Sequence, residues 1–130
     1  MTRELILTLA PIDEAAWLAR RAMSRDMGAA VYFSGVVRAA EKGGAIAAID
    51  YEAFERMARH QIELLFKQVE DRWPVQSVRV AHRLGRVAAG ETALWVEVIA
   101  PHRREAFAAC QFLIDEMKRV APIWKTPLAQ

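Results

Sequence analysis

Two lysines near the carboxyl end of the chain are separated by a proline. In the stretch MKRVAPIWKTP, Lys118 lies near the end of a helical pattern and Lys125 follows seven residues later. Pro122 cannot continue a helix, so the chain must turn away before it. The Ile-Trp pair that precedes Lys125 is too apolar to stay in solvent. We therefore predict that the tail packs back on the body of the protein and holds Lys125 near the helix end.

A predicted strand-to-helix junction offers further cationic side chains. In IAPHRREAF, His102 and Arg103 lie where the last helix begins, and exposed backbone N–H groups and the helix dipole favour an anion there. An arginine can hold a phosphate through two parallel hydrogen bonds. Arg38 is a similar case, after a predicted strand and before a glycine-bearing loop. From the residues alone, an anion site and an ordinary charged surface are equally good interpretations.

Other reactive residue types favour structural roles. Cys110 is the only cysteine and falls on the apolar stripe of the last helix, so we interpret it as a small core residue. His82 lies on an alternating strand pattern and is interpreted as a structural or interface residue. One cysteine and three scattered histidines predict no metal site. Dinucleotide-binding, Walker, zinc-protease and serine-hydrolase motifs are absent.

The distribution of charge is more informative than its sum. The net charge of +2 does not by itself indicate nucleic acid. Residues 72–90 contain four arginines and no acid, whereas acids concentrate in residues 52–71. This layout favours an anionic ligand bound in the second half of the chain.

The elements that must position these residues alternate between strand and helix patterns. We predict strands at 3–9, 28–37, 45–53, 77–85 and 91–100, and helices at 13–23, 54–73 and from 101 or 102 onward. RAAEKGG (38–44) is predicted as a loop, RVAAG (86–90) as a turn, and a short extended tail follows the last helix. Residues 1–130 should therefore form one α+β domain with two layers, a mostly antiparallel sheet with helices packed on one face.

The hydropathy pattern predicts no membrane segment. No apolar run approaches the roughly 18 to 20 residues of a spanning helix, and the first residues have too short an apolar core for a signal peptide. A cytoplasmic location is expected.

Several segments together resemble one family, the large, catalytic subunit of molybdopterin synthase. They are GAAVYFSGVVR (28–38), IDYEAFERMA (49–58), RWPVQSVRVAHRLGRVAAGE (72–91), APHRREAF (100–107) and MKRVAPIWK (117–125). These segments follow the family's order and spacing, so the resemblance is more specific than a single short motif.

The resemblance implies an α/β hammerhead-like fold and an enzyme of molybdenum cofactor biosynthesis. Such an enzyme converts cyclic pyranopterin monophosphate into molybdopterin by inserting two sulfurs as a dithiolene. By motif position, Lys118 and Lys125 would be catalytic, and Arg38, His102 and Arg103 would line the pterin-phosphate pocket. The pterin is the substrate, and the resemblance implies no permanently bound cofactor and no metal.

The resemblance also implies partners. Each sulfur would arrive as a thiocarboxylate on the C-terminal glycine of a small ubiquitin-like subunit. The family assembles as a central dimer of large subunits with a small subunit at each end, a homodimer within a heterotetramer, without nucleic acid or membrane. Family members usually continue beyond the position of Gln130, with a tail that can contribute to the pocket or the dimer contact.

Two other functions remain open at this point. A small α+β module could bind nucleic acid or another anion through the arginines between residues 72 and 86, although few exposed aromatic residues accompany them. A non-catalytic paralogue could bind the small subunit without turnover.

Overall fold

The computed structural model describes residues 1–130, which form two β-sheets and three helices. In chain order the elements are β1 (Thr2–Thr8), α1 (Glu14–Ala19), β2 (Ala29–Val36), β3 (Ala40–Glu41), β4 (Gly44–Ala53), α2 (Glu55–Arg72), β5 (Ser77–Arg83), β6 (Gly85–Ala88), β7 (Thr92–Ala100), α3 (Arg103–Val120) and β8 (Ile123–Ala129). The α+β class predicted from the sequence is confirmed.

The first sheet has the strand order β1-β5-β7-β2. Only the β1–β5 pair is parallel, since β7 runs antiparallel to both of its neighbours. On one face, alternate side chains of β5 and β7 pack against α2 and α3 to form the main core. Fully buried members include Val80, Val96, Ile62, Phe66 and Leu113.

Helix α1 lies against the opposite face of this sheet, so the three helices do not share one face as predicted. The rings of Trp17 and Trp95 lie 5.3 Å apart between α1 and β7. Beneath them, Arg79 forms a two-pronged ion pair with Glu97, with both N···O distances 2.7 Å. This face of β7 therefore carries a buried charge pair.

The Arg79 guanidinium also explains why α1 is shorter than the predicted helix 13–23. Its Nη2 donates to the carbonyl oxygen of Trp17 at 2.8 Å. The amide of Arg21, which would continue an α-helix by bonding to that oxygen, donates to Leu18 instead. The helix ends at Ala19, where the Trp17 carbonyl accepts from the Arg20 amide and the Arg79 guanidinium rather than from the Arg21 amide.

The second sheet is built around β4. Residues 48–51 of β4 pair with β6, residues 46–53 pair with β8, and β3 forms a short hairpin with the start of β4. The predicted return of the carboxyl-terminal tail to the body is confirmed. The segment predicted as a loop at 38–44 instead contains β3 and the start of β4. Of the turn predicted at 86–90, residues 89–90 form a turn, whereas residues 86–88 belong to β6.

Helix α3 is fixed at both ends. At its start, the His102 amide donates to the Glu105 carboxylate at 3.1 Å. The Gly28 amide donates to the Pro101 carbonyl, and a side chain on Gly28 would come within 2.7 Å of that oxygen. At its end, Pro122 forces the chain to leave the helix and enter β8. None of the helices is long and apolar enough to cross a membrane.

Candidate functional site

A cavity of about 650 Å³ lies between the two sheets, beside the last turns of α3. Ten of its seventeen lining residues are hydrophobic, among them Phe33, Leu94 and Met117. The side chains able to carry charge or exchange protons are those of Arg38, Glu41, Tyr51, His82, Lys118 and Lys125. The cavity therefore combines an apolar wall with several donors for an anion.

Three elements bring the predicted cations to this cavity. Lys118 lies in the last turn of α3, and Lys125 lies on β8 directly opposite Tyr51 of β4. Arg38 follows β2, whose carboxyl-terminal half forms part of the wall. The turn at Pro122 and the pairing of β8 with β4 hold the two lysines at one cavity.

Glu41 of β3 is the carboxylate of the cavity. Its Oε2 lies 3.4 Å from Arg38 Nη2, and its Oε1 lies 3.6 Å from Lys125 Nζ. Lys118 forms no ion pair in the structure, and its side chain is exposed. One of the three cations is thus free to meet a ligand, while the other two share an internal counter-ion.

Tyr51 and His82 form an edge-to-face pair of rings in the wall, a contact that was not predicted from the sequence. The ring centroids are 5.2 Å apart at an angle of 77°. The pKa of Tyr51 is raised mainly by burial and to a smaller extent by the charge of Glu41. Burial has the opposite effect on His82, whose pKa it lowers. The shared parity of Val78, Val80 and His82 on β5 could have placed this histidine on the core side.

The structure does not bring His102 and Arg103 to the same cavity within one chain. They lie at the amino-terminal end of α3, and both are exposed. Arg103 and Lys118 are fifteen residues apart on one helix, about 22 Å at the rise of an α-helix. One chain therefore cannot bring its His102 and Arg103 to the cavity that contains its own Lys118. Their predicted role in substrate binding is not possible within that single chain.

The single thiol is not part of the cavity. Cys110 is buried in the main core, where burial raises its pKa to about 11. The interpretation of Cys110 as a core residue is confirmed. The chain contains no cluster of three or more metal-ligating side chains.

This fold and this cavity define a small α+β protein with a partly apolar cavity at the junction of two sheets, lined by one arginine and two lysines. Comparison with models of protein families identifies the family to which the chain belongs. Residues 7–120 match the model of the MoaE protein family. The chain belongs to the MoaE family.

Curated relatives in this family are named molybdopterin synthase catalytic subunit. The chain is 38% identical over 102 residues to the protein of Pyrococcus abyssi, covering 78% of this chain and 69% of the relative. It is 39% identical over 114 residues to the protein of Mesorhizobium japonicum, covering 87% and 70%. It is 35% identical over 120 residues to the protein of Thermoplasma volcanium, covering 92% and 85%. The prediction of an enzyme of this class is confirmed.

Solved structures agree in fold over nearly the whole chain. Molybdopterin synthase from Staphylococcus aureus superposes with a TM-score of 0.86 at 28% identity, covering 98% of this chain and 90% of that one. The MoaE protein of Burkholderia ambifaria gives 0.84 at 32% identity, with coverages of 96% and 82%. A Helicobacter pylori complex of subunits 1 and 2 of molybdopterin-converting factor gives 0.79 at 24% identity, covering 98% and 85%. That last likeness supports the fold.

Proposed function

We propose that this chain converts cyclic pyranopterin monophosphate into molybdopterin by inserting two sulfurs as a dithiolene. The observation that carries this proposal is the joint placement of Arg38, Lys118 and Lys125 at one partly apolar cavity in a MoaE-family chain. The pterin is the substrate, so the reaction requires no permanently bound cofactor.

The lining of the cavity suits both parts of this substrate. Apolar side chains such as Phe33, Leu94 and Met117 offer a surface for a flat ring system. Arginine and lysine donors suit a phosphate group. Arg38 and Lys125 would bind the phosphate once it replaces the Glu41 carboxylate as their counter-ion.

Lys118 is proposed to act on the reacting carbonyl. Attack on, or hydrolysis of, an acyl–sulfur bond places negative charge on the carbonyl oxygen, and a fixed ammonium group stabilises such a charge. Lys118 is the cavity lysine without a carboxylate partner, so its N–H donors are available. Lys125 would hold the phosphate or act as a general acid.

A second copy of the chain would supply His102 and Arg103 to the pocket. The amino-terminal end of β2 lies beside Pro101, whereas residues 33–36 at its other end line the cavity. Because β2 is an edge strand, it could pair antiparallel with β2 of a second copy. Such a pairing would bring the start of one α3 towards the cavity of the other chain, in agreement with the expected homodimer.

The sulfur donor is proposed to be the thiocarboxylated tail of a small ubiquitin-like subunit. The Helicobacter pylori structure is a complex of subunits 1 and 2 of molybdopterin-converting factor. A cavity that opens beside exposed Lys118 could admit an extended peptide end. We propose a heterotetramer with two small subunits.

We also propose a cytoplasmic location, which the localisation of a fluorescent fusion would test.

The direct test is conversion of the cyclic pterin by the purified chain with its thiocarboxylated small subunit. We expect a dithiolene product by mass spectrometry, and a large loss of rate in Lys118→Ala. A near wild-type rate in that variant would refute the role of Lys118. Partner binding without any product from the wild-type chain would identify a non-catalytic paralogue.

A further inference from the structure

The wall of the cavity contains a histidine, His82, with one ring nitrogen that forms no hydrogen bond to the protein. His82 is 8% exposed, and its Nδ1 lies 2.7 Å from the carbonyl oxygen of Arg83. A carbonyl oxygen can only accept a hydrogen bond, so Nδ1 must carry the proton. In the neutral ring, Nε2 is then the unprotonated nitrogen.

The free nitrogen belongs to a side chain that lines the cavity. His82 Nε2 has no hydrogen-bond partner in the protein, and it is not among the fully buried polar atoms that lack one. It is therefore not closed off from solvent, and the nearest cavity is the one that the His82 side chain lines.

The other groups that face the cavity are less suited to accept a proton. Tyr51 has a raised pKa and remains a phenol, and Glu41 is held by two cations. Arg38, Lys118 and Lys125 present N–H donors. The pKa of His82 is lowered by burial, which keeps the ring neutral at pH 7.

We propose that His82 is the general base that activates water for hydrolysis of the acyl–sulfur bond between the carrier's C-terminal carbonyl carbon and the substrate sulfur. This inference rests on the proposed function. Nε2 takes a proton from water while the water oxygen bonds to the carbonyl carbon. The carbon–sulfur bond then breaks, and its electron pair leaves on sulfur.

The proton held by His82 passes to that thiolate, which returns the ring to its neutral form. The carrier is released as a carboxylic acid, which loses its remaining proton to solvent. Water is the only co-reactant, and no oxidant or reductant takes part. The N–H donors of Lys118 would stabilise the oxyanion formed on the way.

His82→Asn is the informative variant, because the asparagine amide can still donate to the Arg83 carbonyl but cannot act as a base. We expect the single-turnover rate of dithiolene formation to fall roughly 100-fold or more. A covalent adduct of carrier and pterin should accumulate in mass spectra. The acidic limb of the wild-type rate–pH profile should disappear.

His60→Asn, on the exposed surface of α2, is the matched control and should keep the wild-type rate and profile. Nitrogen-15 NMR of wild-type His82 at pH 7 gives a readout that does not depend on activity or on folding of the variant. We expect protonated Nδ1 and unprotonated Nε2.

A wild-type rate and pH profile in His82→Asn would overturn this assignment, as would NMR evidence for protonated Nε2. Those results would leave the proposed function intact if wild-type enzyme makes product. Absence of product from the wild-type chain would overturn the proposed function and, with it, this role.

Discussion

At the residue scale, burial keeps two potentially reactive groups uncharged by opposite pKa shifts. It raises the pKa of the Cys110 thiol and lowers the pKa of the His82 imidazole, because in both cases the charged form loses hydration. The outcome for chemistry differs. The neutral imidazole is a base with an accessible nitrogen, whereas the neutral thiol is a poor nucleophile in a closed core.

The pKa of about 11 makes a prediction for Cys110. At pH 8 only about one thiol in a thousand would be ionised, so a disulfide reagent should not label the folded protein, while guanidinium-unfolded protein should react fully. Cys110→Ala should retain sulfur transfer, since the proposed sulfur source is the partner. Rapid labelling of the folded chain would contradict the burial of this thiol.

Glu41 should compete with anionic ligands for Arg38 and Lys125. Glu41→Gln removes this internal counter-ion, and we expect its dissociation constant for inorganic phosphate to fall roughly three- to tenfold. Isothermal titration calorimetry at low salt would measure the effect. Glu52 lies on β4 next to Tyr51, on the face that points away from the cavity. Glu52→Gln makes the same change in net charge and therefore controls for the effect of charge alone. Equal affinities of the two variants would exclude the competition.

At the element scale, the sequence predicted those parts whose cause is local. Pro122 and the apolar residues after it predicted both the end of α3 and the return of the tail as β8. The two- and four-residue strands β3 and β6 were missed because they are too short for a periodic pattern and pair with β4. The predicted end of α1 was wrong because a distant guanidinium caps it.

The same reasoning separates the predictable part of the site from the rest. The positions of proline and glycine in the sequence drew attention to Lys118, Lys125 and Arg38. The catalytic or binding roles of these three residues remain predictions. Tyr51 and His82 meet across the two sheets, a contact that no single segment encodes. The position of Glu41 depends likewise on the β3–β4 hairpin.

The buried Arg79–Glu97 pair should be the main anchor of α1. Glu97→Gln would leave a buried guanidinium without its counter-ion, and we expect the free energy of unfolding to fall by about 3 to 5 kcal/mol. Urea unfolding would measure this change, and faster hydrogen exchange in residues 14–19 would locate it. Glu116→Gln, in the surface pair with Arg119, should change little. Similar losses in both variants would contradict the anchoring role.

At the scale of the whole molecule, the candidate functional cations divide between two ends of α3. One chain has Lys118 and Lys125 at its cavity and His102 and Arg103 at the far end. The proposed isologous dimer would join the two sets twice, once at each cavity. A single chain therefore presents only part of the predicted residues at its own cavity.

This division predicts complementation between inactive chains. Lys118→Ala and Arg103→Ala should each be impaired as homodimers. In a mixed dimer, the Arg103→Ala chain keeps its own Lys118 and receives Arg103 from the other chain, so one of the two cavities is intact. Random assembly makes half of the dimers mixed, so co-expression should restore about one quarter of wild-type activity.

Co-expression of Lys118→Ala with Lys125→Ala is the matched control, because both lysines of a cavity come from one chain. Recovery in the first mixture alone would establish a shared site, whereas equal activity in both mixtures would mean that His102 and Arg103 act elsewhere.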